Sequence, residues 1–273
     1  MRSVFPHLLL FFLTVASTLF VGGVIYSASL LSILLAHEMG HYLASRYHGV
    51  KATLPYFIPF PLPPFGTLGA VIRTKSPIPH RRALLDIGAA GPLSGLCVAI
   101  PAIVVGLLHS QVVDVSQLPK ETIRLGNPPL FAFIQRLTLG ELPSSKDVIL
   151  HPIAYAGWVG LFVTALNLLP AGQLDGGHIV YSLFGRYSRI IFRMTILTAI
   201  LICLIYNFGW LLLVVLLLFI GYRHPPPLDD FTPLDGKRRF VGAITLAIFF
   251  LSFTPVPFPS WAMGLKDILW GAR

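Results

Sequence analysis

Residues 30–49 read LLSILLAHEMGHYLASRYHG. The stretch opens as an unbroken apolar run and, before that run ends, sets His37, Glu38 and His41 within five residues. An ionisable group at the centre of a membrane span costs on the order of 2.5–3.5 kcal/mol, so three together in a lipid-like helix call for a function. On an α-helix, positions i and i+4 lie about 40° apart in projection and about 6 Å along the axis. Both imidazoles therefore reach one Zn²⁺, and Glu38 beside the first is placed to act as base toward water at the metal. HExxH also arises by chance in soluble chains. Chance is a poor account here: the sequence holds only three glutamates (Glu38, Glu121 and Glu141), and the one inside an apolar run falls between the two histidines.

The rest of the chain fits that setting. Of its 273 residues, 55% are hydrophobic and 11% charged, and the mean hydropathy is +0.77. Soluble domains carry roughly a quarter charged residues, so a soluble globular fold is excluded. A net charge of +9 would point to nucleic acid in a soluble chain. Here lysine and arginine sort between loops instead, and no nucleic-acid partner is expected. Cys97 and Cys203 sit in apolar runs and are read as free thiols.

A spanning helix needs about 20 apolar residues. Runs at 7–22, 24–45, 83–108, 152–169, 190–206 and 240–258 approach that, and a shorter one at 208–222 follows a turn at Asn207-Phe208-Gly209. Basic residues mark the cytoplasmic side. With seven spans and the N-terminus inside, the cytoplasmic segments receive most of the 20 lysines and arginines, from Arg2 to Arg223 and the Lys237-Arg238-Arg239 cluster. The outer loop holds Lys120, Arg124, Arg136 and Lys146 against Asp114, Glu121, Glu141 and Asp147, with Lys266 and Arg273 outside at the tail. Fusing 190–222 into one helix would move the Lys-Arg-Arg cluster outside, so seven spans are preferred.

The predicted fold class is an all-α polytopic membrane protein of about seven transmembrane helices, forming one domain over 1–273. Its catalytic core covers about 24–180, an external loop about 109–150 and accessory spans about 190–258. Residues 51–80 are rich in proline yet strongly apolar. Irregular backbone at membrane depth is tolerated only when lodged in protein, so a small re-entrant β element is expected there, with GTLGAVIRT (66–74) as its strand. The external loop has a weak helical pattern in PLFAFIQRL (129–137). Ser-Ala-Ser at 27–29 imitates a signal-peptidase site, but cleavage there would cut into the run that carries HEMGH. The first segment is read as a retained span. No Arg- and Ser-rich transit sequence stands ahead of it, which favours a bacterial inner membrane with the site toward the cytoplasm.

A hydrolytic zinc takes three protein ligands and keeps a fourth position open. Glu121 and Glu141 fall in the outer loop, whereas HEMGH lies toward the cytoplasmic end of its span. NLLPAGQLDGGH (167–178) closes the fourth span on that same side, and Asp175 is its only acid. Gly176 and Gly177 after it allow close backbone approach. The expected ligands are thus His37, His41 and Asp175. Asn167 is either a donor to an oxyanion or a helix-packing amide, and His178 is a neighbour of the site, not a ligand. Asp86 is expected to answer Arg81 or Arg82. Gly91 and Gly95 form a GxxxG suited to close helix packing.

HEMGH, the GPLSG stretch at 91–95 and NLLPAGQLDGGH come in the order of the site-2 proteases, which the chain resembles from about residue 30 to 180. The pair HExxH and LDG on separate spans is specific, where either half alone would be weak. The resemblance implies a zinc metalloprotease that cuts within or near the transmembrane segments of membrane-bound regulatory proteins. It implies Asp175 as third ligand, Glu38 as general base, Asn167 as oxyanion donor and the proline-rich segment as a membrane-embedded sheet beside the catalytic helix. The alternative from another class is a metal-ion transporter using the same histidines and aspartate. A transporter calls for further polar groups on neighbouring spans as a relay, and the sequence offers one site.

Overall fold

The computed structural model describes residues 4–118, 122–220 and 224–261. The charges expected of Arg2, Lys120, Glu121, Arg223, Lys266 and Arg273 lie outside the described residues. The chain is mostly helical, and the helix that carries HEMGH organises it. Helix α1 (Phe5–Tyr47) joins the two expected runs 7–22 and 24–45 across Gly23, whose φ of +74° and ψ of −177° interrupt the helix. Only glycine takes that conformation readily. In a straight helix residues nine apart are separated by about 13.5 Å, yet Thr18 Oγ1 and Ser27 Oγ lie 2.7 Å apart. The two halves of α1 therefore fold toward each other at Gly23.

Against α1 lies a hairpin of β1 (Tyr56–Pro59) and β2 (Thr67–Val71), antiparallel with Tyr56 opposite Val71 and Phe57 opposite Ala70. The strand expected in GTLGAVIRT is β2. A greasy, proline-rich loop joins the strands, and its carbonyls need partners wherever water is excluded. Helix side chains supply them. Tyr155 donates to Pro64 O at 2.8 Å, Tyr26 to Phe65 O at 2.8 Å and Ser17 to Gly66 O at 2.6 Å. The hairpin tip is thereby held between α1 and α4 (Pro152–Asn167).

Helix α2 (Arg81–Leu108) packs on α1 and α4 and forms the centre of the bundle. His80 caps it, accepting from Ala83 N at 3.0 Å. Two further strands, β3 (Gln111–Asp114) and β4 (Lys146–Ile149), pair antiparallel around α3 (Pro129–Leu139). The chain is mostly helical as expected, and β1–β2 stands in the segment where a β element was expected; β3–β4 is an addition, because four-residue strands are too short to print a period-two pattern. Glu141, in the same loop, pairs with Arg136 in the open.

After α4 the chain makes a short helix the sequence reading missed, α5 (Asp175–Phe184), which packs on α2. Its opening Asp-Gly-Gly disguises an amphipathic turn. Then follow α6 (Ser188–Ile205), α7 (Leu211–Ile220) and α8 (Gly236–Ser252). The expected turn at Asn207 is present, its side chain accepting from Gly209 N at 2.8 Å. Among the described residues three stretches have the length and apolarity of a span: Phe5–Tyr47, Arg81–Leu108 and Asp175–Ile205. Cys97 and Cys203 are free. Asp86 does not answer Arg81 or Arg82. It accepts from Arg238 Nη2 at 2.7 Å and meets His48 Nε2 at 2.9 Å. Arg81 and Arg82 donate instead to the carbonyls of Ser182 and Pro233, because the Arg238 guanidinium already takes both oxygens of Asp86.

Candidate metal centre

His37, Glu38 and His41 stand one helical turn from end to end on α1, each at most 6% exposed. Asp175 is the first residue of α5, where unpaired N–H groups favour a negative charge. The fold brings these two elements together. His37 Nε2 and His41 Nε2 each lie 3.2 Å from Asp175 Oδ2, and 3.2 Å from one another. Two atoms bonded to one tetrahedral zinc at about 2.05 Å stand about 3.3 Å apart, so the triangle has the right size.

Its chemistry agrees. His41 Nδ1–H donates to Ile87 O at 2.7 Å, which leaves Nε2 as a bare lone pair. A second imidazole nitrogen and a carboxylate oxygen point into the same space, an arrangement of acceptors that a cation compensates. The cluster fits a zinc site, and among the described residues it is the one group of metal-binding side chains of this kind.

Close packing on α2 makes the convergence possible. A Cβ at Gly91 would lie 2.0 Å from His41 Nε2, and one at Gly95 would lie 3.2 Å from His37 Cβ. The expected GxxxG contact is thus made with the histidines themselves. Gly176 serves Asp175 in the same way, since a Cβ there would strike Leu168 O at 2.0 Å and push α5 off the end of α4.

Asn167, the last residue of α4, brings Nδ2 to 3.3 Å from His37 Nε2. Glu38 receives the backbone N–H of Ile72, just past β2. Arg73 turns its carbonyl inward to Thr53 N at 3.0 Å, so the neighbouring Ile72 amide faces away from β1 and into the site. His37, Glu38, Asn167, Asp175 and the Ala70–Thr74 edge all line one cleft of about 470 Å³. Glu141 is not among them.

The sequence reading passed over one lining residue, His224, whose Nε2 sits 2.6 Å from His178 Nδ1. Burial pushes the His224 imidazole down to about 4. Its only sequence signal was a histidine ahead of three prolines.

Residues 25–206 match peptidase family M50. The chain belongs to that family. It is 36% identical over 234 residues to the probable zinc metalloprotease EGY1, chloroplastic, of Arabidopsis thaliana, covering 83% of this chain and 42% of that protein. The corresponding EGY1 of Oryza sativa subsp. japonica is 34% identical over 238 residues, 83% of this chain and 39% of that one. EGY2 of Arabidopsis thaliana is 31% identical over 240 residues, 83% and 40%. The chain thus spans about two fifths of the length of the curated relatives it matches. No solved structure matches it. The site-2 protease resemblance and this family agree. The bacterial inner membrane does not gain support, because these relatives are named as chloroplastic.

Proposed function

We propose that this protein is an intramembrane zinc metalloprotease that hydrolyses peptide bonds within or near transmembrane segments of membrane-bound regulatory proteins. The observation that carries the reading is the 3.2 Å triangle of His37, His41 and Asp175, formed from two separate helices and buried beside Glu38. His37, His41 and Asp175 are the metal ligands. Zinc, when held there, acts as a Lewis acid toward the scissile carbonyl and makes water a stronger nucleophile near neutral pH.

This chain's residues do the rest. Glu38 takes the proton of the attacking water and returns it to the departing amine. Asn167, whose amide already reaches the ligand set, donates to the oxyanion. A peptide bond in a substrate helix must first be unwound, and an extended segment then adds to the outward edge of β2 as a further strand. The Ile72 amide facing Glu38 supports that position, because strand and base then share one cleft. The chain crosses the bilayer about seven times, with the halves of α1 on either side of Gly23 as the first two crossings and the β1–β2 hairpin as a re-entrant element. The apolar runs and the sorting of basic residues support that topology. The reading is a multi-pass membrane location with the site toward the cytoplasm.

The test is zinc content and cleavage of a single-span substrate, measured on purified Glu38→Gln and Asp175→Asn proteins. Glu38→Gln keeps zinc and loses cleavage by at least about 100-fold, the scale of general-base catalysis. Asp175→Asn loses zinc itself. Retained cleavage in Glu38→Gln would end the mechanism. A transporter would lose transport in Asp175→Asn and show no hydrolysis in any form.

A further inference from the structure

The cleft has a wall that the chemistry above does not use. Residues 224–230 leave α7 behind and cross the site as a strap pinned at both ends. At one end His224 Nε2 meets His178 Nδ1 on α5 at 2.6 Å, and Tyr181 stacks on the His224 ring at 4.7 Å. At the other, Leu228 N–H donates to Ile78 O at 3.0 Å and Asp229 N–H to Pro79 O at 2.9 Å. His178 belongs to the α5 side of the cleft, and Ile78 to the segment that continues from β2. Between the pins stand Pro225, Pro226 and Pro227, which line the cleft together with Glu38 and Asp175. Pro225 and Pro226 are exposed.

Three successive prolines hold an extended backbone at fixed φ and carry no N–H. The strap therefore cannot donate to the free edge of β2 and occupy it as a strand. What it presents is apolar ring surface across from that edge.

We propose that the proline strap at 224–227 is a specificity-determining wall: a substrate strand paired on β2 passes beneath it and packs apolar side chains flanking the scissile bond on Pro225 and Pro226. The proposal rests on the protease reading. A charged side chain in that position meets rings that offer it no donor and loses its hydration, whereas leucine buries surface there.

The test compares two single-span substrates that differ only by Leu or Lys beside the scissile bond, with the cut mapped by mass spectrometry. The wild-type protein prefers Leu in kcat/KM by at least ~10-fold, the lower range for apolar pocket discrimination. Pro225→Ser/Pro226→Ser keeps zinc and narrows that ratio by ~10-fold, mainly through KM. Independently, Pro226→Cys in the Glu38→Gln background forms a disulfide with a substrate cysteine flanking the scissile bond. Should the serine variant fail to fold, this cross-link decides, and its absence overturns the strap. If the wild-type protein cleaves both substrates and the ratio survives in the serine variant, the strap proposal falls alone. If zinc-loaded wild-type protein cleaves neither, the protease reading falls and takes the strap with it.

Discussion

Gly91 shows how much of a metal site is made by residues that never touch the metal. A methyl group there would sit 2.0 Å from His41 Nε2, so Gly91→Ala must displace either the imidazole or α2. The displaced ring also loses the Ile87 carbonyl that fixes its tautomer at 2.7 Å. Gly91→Ala is therefore expected to lower zinc affinity by about 10–100-fold, the range for supporting residues around a metal, with all three ligands intact. Competition against a zinc-binding dye reads this directly, and an unchanged affinity would mean that the helices slide apart freely. The residues that form the cluster were legible in the sequence. Two histidines at helical spacing and an acid in an apolar setting are visible without coordinates. Gly91 was legible only as packing, because nothing in GPLSG says which side chain fills the space. The partner of Asp86 was hidden for a different reason: Arg238 stands 152 residues away, on a helix whose orientation the sequence does not give.

At the scale of elements, the β1–β2 hairpin depends on helix side chains that satisfy its tip. Tyr26 is fully buried, and its hydroxyl is given to Phe65 O. Tyr26→Phe removes the donor from the half-buried Phe65 carbonyl, an expected loss of about 0.5–1.5 kcal/mol, seen as a lower melting temperature in detergent. Proline scanning tests the strand role, but not at every position. Gly69 has a φ of +99° that proline cannot adopt, so Gly69→Pro would disrupt the hairpin whatever the substrate does. Val71 lies in regular strand opposite Tyr56. The Val71 N–H faces β1, opposite to that of Ile72, so Val71→Pro weakens the hairpin as well as the strand. It is expected to reduce cleavage by ~10-fold or more, with melting temperature measured beside cleavage to separate the two. Undiminished cleavage would remove β2 as the docking edge. The strap offers a pH signature. A histidine with a lowered folded-state pKa stays neutral while the unfolded chain takes a proton, so stability falls as pH drops below the unfolded value of about 6.5 toward the folded value of about 4. Wild-type protein is expected to lose more stability between pH 7 and pH 5 than His224→Gln does. Helix α1 and strand β2 could be anticipated from apolar runs and proline punctuation. Strands β3 and β4 and helix α5 could not, being four to ten residues long with no complete period to show.

Across the whole molecule, the metal centre is also a long-range tie. His37 and His41 lie 138 and 134 residues from Asp175 in sequence, and their side chains join α5 to α1. Burying the two helices' ends against α2 positions the ligands, but it also brings three acceptor atoms to 3.2 Å. Without the metal the contact is held only by a proton shared between imidazole and carboxylate, and α5 is the element expected to give it up, since α1 is packed against the hairpin and α2. A metal held by the folded arrangement in preference to the unfolded chain would stabilise by mass action, about 2.7 kcal/mol when free metal is 100-fold above Kd. Chelation is thus expected to lower the melting temperature, with loss of amide protection concentrated at Leu174 and His178, whose N–H groups donate to Ala171 O and Leu174 O. The hairpin, held by Tyr26, Ser17 and Tyr155, keeps its protection. Asp175→Asn should reproduce the chelated pattern with zinc present, while Glu38→Gln should not. Uniform loss of protection over α1, α2 and α5 would mean instead that the metal holds the entire bundle, and the assignment of α5 as the element that yields would be wrong.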